Sequence, residues 1–122
     1  MAKTFLEKMF LKPDYTIALL HIPEELKKEF KTTNKTYHAL YKTCNFILTF
    51  YTSEDDLKKE ITKLKKSLES NGLLWIAYPK AKKLETNLNR DILHKIAKQF
   101  GLDGVSLISL NETWSAMRFK KI

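Results

Sequence analysis

Apolar and polar positions along this chain follow two different periods. Over residues 53–70 (S-E-D-D-L-K-K-E-I-T-K-L-K-K-S-L-E-S), Leu57, Ile61, Leu64 and Leu68 recur at intervals of three and four with lysines between them. That spacing predicts an amphipathic helix with one buried stripe. Ser53 is its expected N-cap, Asp56 completes an S-x-x-D box, and Glu54 and Asp55 suit the positive end of the helix dipole. Asn71-Gly72 is the expected stop. A second helix is predicted after Asn89, with Ile92, Leu93, Ile96, Ala97 and Phe100 on one side and Gly101 just past its end. A shorter helix is expected from Pro23, burying Leu26 and Phe30. The first ten residues, with Phe5, Leu6, Met9 and Phe10, make a further packing helix ended by Lys12-Pro13-Asp14.

Between these segments the helical period disappears. Thr16 to His21, Asn45 to Tyr51 and Leu73 to Tyr78 are short runs that are apolar on both faces, as in parallel strands covered on both sides. Thr36 to Tyr41 is a weaker strand candidate. Val105 to Leu110 and Trp114 to Lys120 are two more, joined so closely that they must be antiparallel. The alternation predicts an α/β fold: an open, mostly parallel Rossmann-like sheet of five to six strands, helices on both faces and an antiparallel C-terminal strand. At 122 residues the chain fits one such domain, residues 1–122.

Composition narrows the class without naming a function. No apolar run approaches the roughly 18 residues of a membrane span, and the start lacks a signal-peptide core. A single cysteine, Cys44, cannot make an internal disulfide, so a soluble, cytoplasmic protein is expected. The formal charge of +8 is spread out. Its densest part is residues 72–100, where six basic residues stand against two acidic, including Y-P-K-A-K-K at 78–83. A lysine-rich solvated surface accounts for this, and nucleic-acid binding through residues 78–98 is the competing reading.

Ligands of an open parallel sheet sit beyond the carboxyl ends of its strands. The predicted elements place His21 and Glu24 there after the first strand, and Thr52 at the N-terminus of the long helix. Tyr78 and Lys80 follow the fourth strand, and Glu112, Thr113, Trp114 and Ser115 occupy the last turn. Glu112 with Lys80 is the candidate catalytic pair, an acid or base beside a cation, with a loop-holding ion pair as its plainer role. His21, Glu24, Thr52, Tyr78, Lys80, Thr113, Trp114 and Ser115 are the candidate ligand-binding set. His21, His38 and His94 lie on different elements without metal-ligand spacing, so no metal is expected. Cys44 reads as a small buried hydrophobe. Tyr37, Tyr41, Phe46, Phe50 and Tyr51 read as core aromatics and not as an RNA-stacking platform. After the first strand the sequence runs A-L-L-H-I-P-E-E-L, with no glycine to let a nucleotide approach the backbone. G-x-G-x-x-G and the phosphate loop are also missing. No cofactor is therefore expected.

Two C-terminal motifs, L-W-I-A-Y-P-K (74–80) and N-E-T-W-S (111–115), flank N-R-D-I-L-H-K-I-A and a glycine turn. Together with L-K-P-D and H-I-P-E-E nearer the start, they resemble a family of short bacterial proteins grouped as a domain of unknown function. That family shows an L-W-V-S-W-P-K-like strand end and a D-E-T-W-S hairpin. This chain departs from it at Tyr78, where the family tends to have tryptophan, and at Asp14, where it tends to have glycine. The resemblance implies a reduced relative of the methyltransferase-like Rossmann sheet with an antiparallel last strand. It implies no reaction, since the family has none assigned. The function expected from the residues is a non-catalytic or cryptic module holding an anionic small molecule or a partner's acidic segment at the carboxyl rim through Lys80, Lys82, Lys83 and Trp114. A transferase-like enzyme using Glu112 and Lys80 is the alternative.

Overall fold

A computed structural model describes residues 5–30, 32–40, 42–80 and 88–121. Lys82, Lys83 and Tyr41 lie outside the described residues. Six strands form one sheet: β1 (Ile17–Leu20), β2 (Thr36–Tyr37), β3 (Cys44–Phe50), β4 (Leu68–Pro79), β5 (Leu102–Ser109) and β6 (Trp114–Lys121), in the order β2-β1-β3-β4-β6-β5. The three pairings among β1 to β4 are parallel. Both pairings of β6 are antiparallel. The sheet is therefore mixed. The expectation of a mostly parallel sheet holds for its N-terminal half, but the reversed β6 is inserted between β4 and β5 and makes two antiparallel pairings.

The period-two alternation of each strand sorts its side chains to two cores. Ala18, Leu20, Ile47, Leu74, Ile76, Met117 and Phe119 meet the helices α2 (Glu54–Ser67) and α3 (Arg90–Gln99). Ile17, Leu19, Phe46, Leu48, Trp75, Ala77 and Ala116 face the other side. There they meet Leu6 of the single-turn helix α1 (Phe5–Lys8), Met9, and Leu26 and Phe30 around a 3-10 helix, Glu24–Glu29. Burying Leu57, Ile61 and Leu64 of α2 contributes about 2 kcal/mol each relative to leaving them in water.

The predicted caps form. Ser53 Oγ accepts from the amides of Asp55 and Asp56, and Asn89 Oδ1 accepts from that of Ile92. Gly101, at φ +79°, turns the chain out of α3 in the left-handed conformation that glycine adopts without steric cost.

Several details differ from the sequence reading. Helix α2 ends at Ser67, and Leu68, assigned above to its apolar stripe, is already extended (ψ 127°) and pairs with Cys44. Asn71-Gly72 thus lies within β4 and does not stop the helix. Gly72 is needed for close approach, because a Cβ there would meet Leu68 Cδ1 at 2.8 Å and the Asn45 carbonyl oxygen at 3.0 Å. The segment after His21 forms a 3-10 helix with Pro23 as its N-cap. Phe10 leaves the core, 57% exposed, with left-handed backbone (φ 69°) and the Arg118 guanidinium 5.6 Å over its ring.

Candidate functional site

From β1 the chain first moves outward to β2 and then returns to the other side of β1 as β3. Neighbouring connections diverge at such a point and leave a crevice at the carboxyl ends. Here it is a cavity of about 710 Å³. His21 and Pro23 line it from the end of β1, and Phe50, Tyr51 and Thr52 from the end of β3. Asp56, Lys59 and Glu60 line it from the first turns of α2, and Trp114 from the start of β6. A second cavity, about 550 Å³, opens between β1 and β2 and shares His21, with His38, Lys27 and Phe30 among its walls.

His21 joins the two cavities through an unusual backbone. Its φ is +57°, a region that costs a side-chain-bearing residue about 1–2 kcal/mol. The imidazole is fixed by two contacts: Nε2 lies 2.8 Å from Glu60 Oε1, and the ring tilts against Tyr51 at 5.6 Å between centroids. The Tyr51 hydroxyl donates to the same Glu60 oxygen at 2.7 Å. Burial above all, with the Glu60 carboxylate adding to it, pushes the Tyr51 phenol far above its ordinary range, so it remains a donor. Across the cavity, Trp114 meets Phe50 edge to face at 5.2 Å and 82°. Its indole N–H donates to Glu25 Oε1 at 3.2 Å.

Of the residues singled out from sequence, His21, Thr52 and Trp114 come together on this cavity. The rest do not line it. Glu24 is exposed and paired with Lys27 at 2.9 Å, one helical turn away. Tyr78 and Ser115 are buried register partners, and Tyr78 belongs to the core on the α2 and α3 side. Burial raises the Tyr78 phenol, with the Ser115 hydroxyl beside it acting the other way. Alternation along β6 therefore sends Trp114 and Ser115 to opposite faces. Lys80 Nζ donates to Ser109 Oγ at 2.6 Å, and its amide donates to the Thr113 carbonyl at 2.7 Å. Glu112 is exposed at the turn, and among the described residues it forms no ion pair with Lys80.

The sequence reading singles out neither Lys59 nor Glu60, and Asp56 only as part of the capping box of α2. Phe50 and Tyr51 it placed in the core, where they are, without seeing that they also wall the cavity. No local signal marks Glu60, whose partner His21 lies 39 positions away.

N-E-T-W-S is a hairpin turn organised by Asn111. Its Oδ1 accepts from the Thr113 amide at 2.8 Å and the Trp114 amide at 2.7 Å, satisfying donors that the turn would otherwise leave unpaired. Asn111→Ala is expected to cost about 1–2 kcal/mol, measured as a drop in the urea midpoint at unchanged slope. An Asn111→Asp variant, which keeps the acceptor, should recover most of it.

Cys44 is 1% exposed and burial pushes its thiol up, which suppresses the nucleophilic thiolate. In the folded protein it is expected to react with a disulfide reagent at least tenfold more slowly than free cysteine, the contrast vanishing in denaturant. Reaction at the free-thiol rate under native conditions would refute the buried assignment. Among the described residues no group of three or more His, Cys, Asp or Glu is placed to hold a metal ion, and no helix is long and apolar enough to cross a membrane.

This sheet order, with its reversed β6 and its cavity at the divergence of β1 and β3, defines a protein of the methyltransferase-like α/β fold. The similarity to solved structures is extensive in shape and slight in sequence. A TehB-like SAM-dependent methyltransferase from Corynebacterium glutamicum superposes with a TM-score of 0.62 at 12% identity, covering 96% of this chain and 85% of that one. The glycopeptide N-methyltransferase MtfA gives 0.63 at 8%, covering 96% and 88%. LepI in complex with SAM gives 0.59 at 11% and covers 96% of this chain, which spans only 39% of LepI. No curated protein sequence matches. The chain belongs to the family described as "Protein of unknown function (DUF3052)", which it matches over residues 26–122.

Proposed function

We propose that this protein is a small-molecule-binding module of reduced methyltransferase-like type, receiving its ligand in the rim cavity between β1 and β3. The observation that carries this reading is the cavity itself: about 710 Å³, within the usual range of small-molecule sites, with aromatic walls and a few convergent polar groups. The association of LepI and the TehB-like methyltransferase with SAM raises the question of that cofactor here, and the residues after β1 do not fit it. The left-handed position directly after the strand is held by His21, whose ring lies on Tyr51 and whose Nε2 is bonded to Glu60. A glycine there would leave the backbone open to a ligand. This favours a degenerate relative of the fold over a SAM-dependent enzyme.

The charge of the walls bears on the ligand. Asp56 and Glu60 stand against Lys59, so a neutral ligand has better support than the anion or acidic segment expected from Lys80, Lys82 and Lys83. Lys80 is also engaged by Ser109. Among the described residues, catalysis by Glu112 with Lys80 and nucleic-acid binding through the 78–98 region have no supporting geometry of this kind; residues 81–87 of that region lie outside the described residues.

A ligand-observed magnetic-resonance screen of small neutral and charged aromatics, with amide shifts mapped on labelled protein, tests the reading. Hits are expected to move the amides of His21, Thr52 and Asp56 together. Hits confined to residues 88–98 or to the β2 edge, or no hits at all, would count decisively against it.

A further inference from the structure

We propose that His21 and Glu60 form a proton-accepting dyad for an aromatic hydroxyl compound, a phenol or its equivalent, bound in the rim cavity. The inference rests on the ligand-binding reading above and adds the ligand's chemical class and the group that reacts with it.

The carboxylate decides which nitrogen of His21 does the work. An ionised carboxylate only accepts hydrogen bonds, so the imidazole nitrogen 2.8 Å from Glu60 Oε1 must carry the hydrogen. In neutral imidazole the lone pair then resides on Nδ1, and among the described residues nothing bonds to that atom. Three features hold the ring in place. Tyr51 donates to the same Glu60 oxygen at 2.7 Å and fixes the carboxylate. Its ring lies 5.6 Å from the imidazole. The left-handed backbone at φ 57° is the kind of local strain that tends to collect at working sites. The His21 side chain is still 52% exposed and borders both rim cavities. Glu60 and Tyr51 are therefore positioning residues, and His21 is the group that meets the ligand.

The remaining walls select the ligand. Phe50 and Trp114, edge to face at 5.2 Å, and Pro23 offer apolar surface to a flat ring. Asp56 and Glu60 oppose entry of a preformed carboxylate or phosphate. A neutral acid escapes that repulsion and becomes charged only after it is seated. The ligand O–H bond then breaks with its electron pair left on oxygen, and the proton forms an N–H bond at His21 Nδ1. The resulting imidazolium faces the Glu60 carboxylate, and the phenolate can face Lys59 on the same cavity.

The dye para-nitrophenol tests this, because its phenolate alone is yellow. Calorimetry measures its binding, and absorbance measures its ionisation, in a near-neutral buffer where the free dye is a mixture of phenol and phenolate and an ordinary imidazole is mostly uncharged. For the wild-type protein the phenolate-to-phenol ratio of bound dye is expected to exceed that of free dye about tenfold. His21→Gln should weaken binding, and whatever dye still binds should lose the excess phenolate. Glu60→Gln keeps an acceptor for Tyr51 but not the charge, and should lower the ratio about tenfold; a purely structural role for Glu60 would leave it unchanged. Nitrogen chemical shifts of His21 should report an unprotonated Nδ1 in the unliganded protein. Bound dye no more ionised than free dye, or an excess of phenolate that survives in folded His21→Gln, overturns the dyad and leaves the cavity reading intact. Absence of dye binding overturns the aromatic-hydroxyl class, while the cavity reading stands or falls separately with the compound screen.

Discussion

Trp75→Ala is expected to remove about 4 kcal/mol or more of folding stability, a large share of the roughly 5–15 kcal/mol that holds a domain of this size. Trp75 lies in the middle of β4, 2% exposed, packed with Phe46, Leu48 and Ala77 in the core under α1. Truncating a buried tryptophan leaves a cavity that rigid neighbouring strands cannot fill, at a cost of about 3–5 kcal/mol. The indole N–H also donates to the Met9 carbonyl at 3.1 Å in a buried setting, and an orphaned carbonyl there adds about 1–3 kcal/mol. The two penalties share one site and will not sum fully. Urea unfolding of wild type, Trp75→Ala and Trp75→Phe separates them, since phenylalanine keeps most of the volume and loses the donor. If Trp75→Phe unfolds at the wild-type midpoint, the bond that ties residues 66 positions apart contributes nothing, and packing alone anchors the N-terminal segment.

Trp114→Ala is expected to be the second most damaging change, and the only one of the two to act on both stability and ligand. Trp114 is 5% exposed, stands edge to face against Phe50 and walls the rim cavity. Loss of its packing costs about 3 kcal/mol or more. The widened cavity should weaken any ligand found there by more than tenfold, because aromatic contact area and shape are lost together. The hairpin itself should survive, since Asn111 holds it through the main-chain amides of residues 113 and 114. Trp114→Phe retains a ring against Phe50 and gives up only the partly buried bond to Glu25. Its stability should fall by about 1–2 kcal/mol and its affinity by no more than a few-fold. Unfolding midpoints and ligand titrations on the three proteins decide the matter. A folded Trp114→Ala that binds with wild-type affinity would remove the tryptophan from the site.

Tests at the rim also need controls for the strain at His21. His21→Ala removes the imidazole but keeps a Cβ in the left-handed region, whereas His21→Gly removes both the side chain and the steric cost. A ligand effect common to both belongs to the imidazole. A stability difference between them belongs to the backbone.

Local sequence rules reached far in this chain. Ser53 and Asn89 cap the helices they were expected to cap. Leu57, Ile61 and Leu64 are buried as their spacing required, and all six strand candidates fall where strands lie. The failures were local competitions that tertiary contacts settled. Leu68 fits the helical stripe of α2, but extended pairing with Cys44 buries it as well and begins β4 early. Phe10 is apolar, yet the left-handed backbone at its own position turns it outward under Arg118.

The candidate site divides along the same line. Strand ends were readable from the apolar runs, so His21, Thr52 and Trp114 could be assigned to the carboxyl rim. Tyr78 and Ser115 are also at strand ends, but alternation directs them into the core beside α2 and α3. Lys80 and Glu112 were expected to be neighbours, and Lys80 instead meets Ser109.

What the sequence determined by itself was the set of elements, their buried faces and which residues fall at the carboxyl ends of the strands. These follow from periodicity, caps and turn residues, which act over a few positions. Only the tertiary structure decided that β3 returns beside β1, that Glu60 on the polar side of α2 reaches His21, and that Tyr51 donates to the same oxygen. Those meetings depend on strand order and helix packing, which no local pattern specifies.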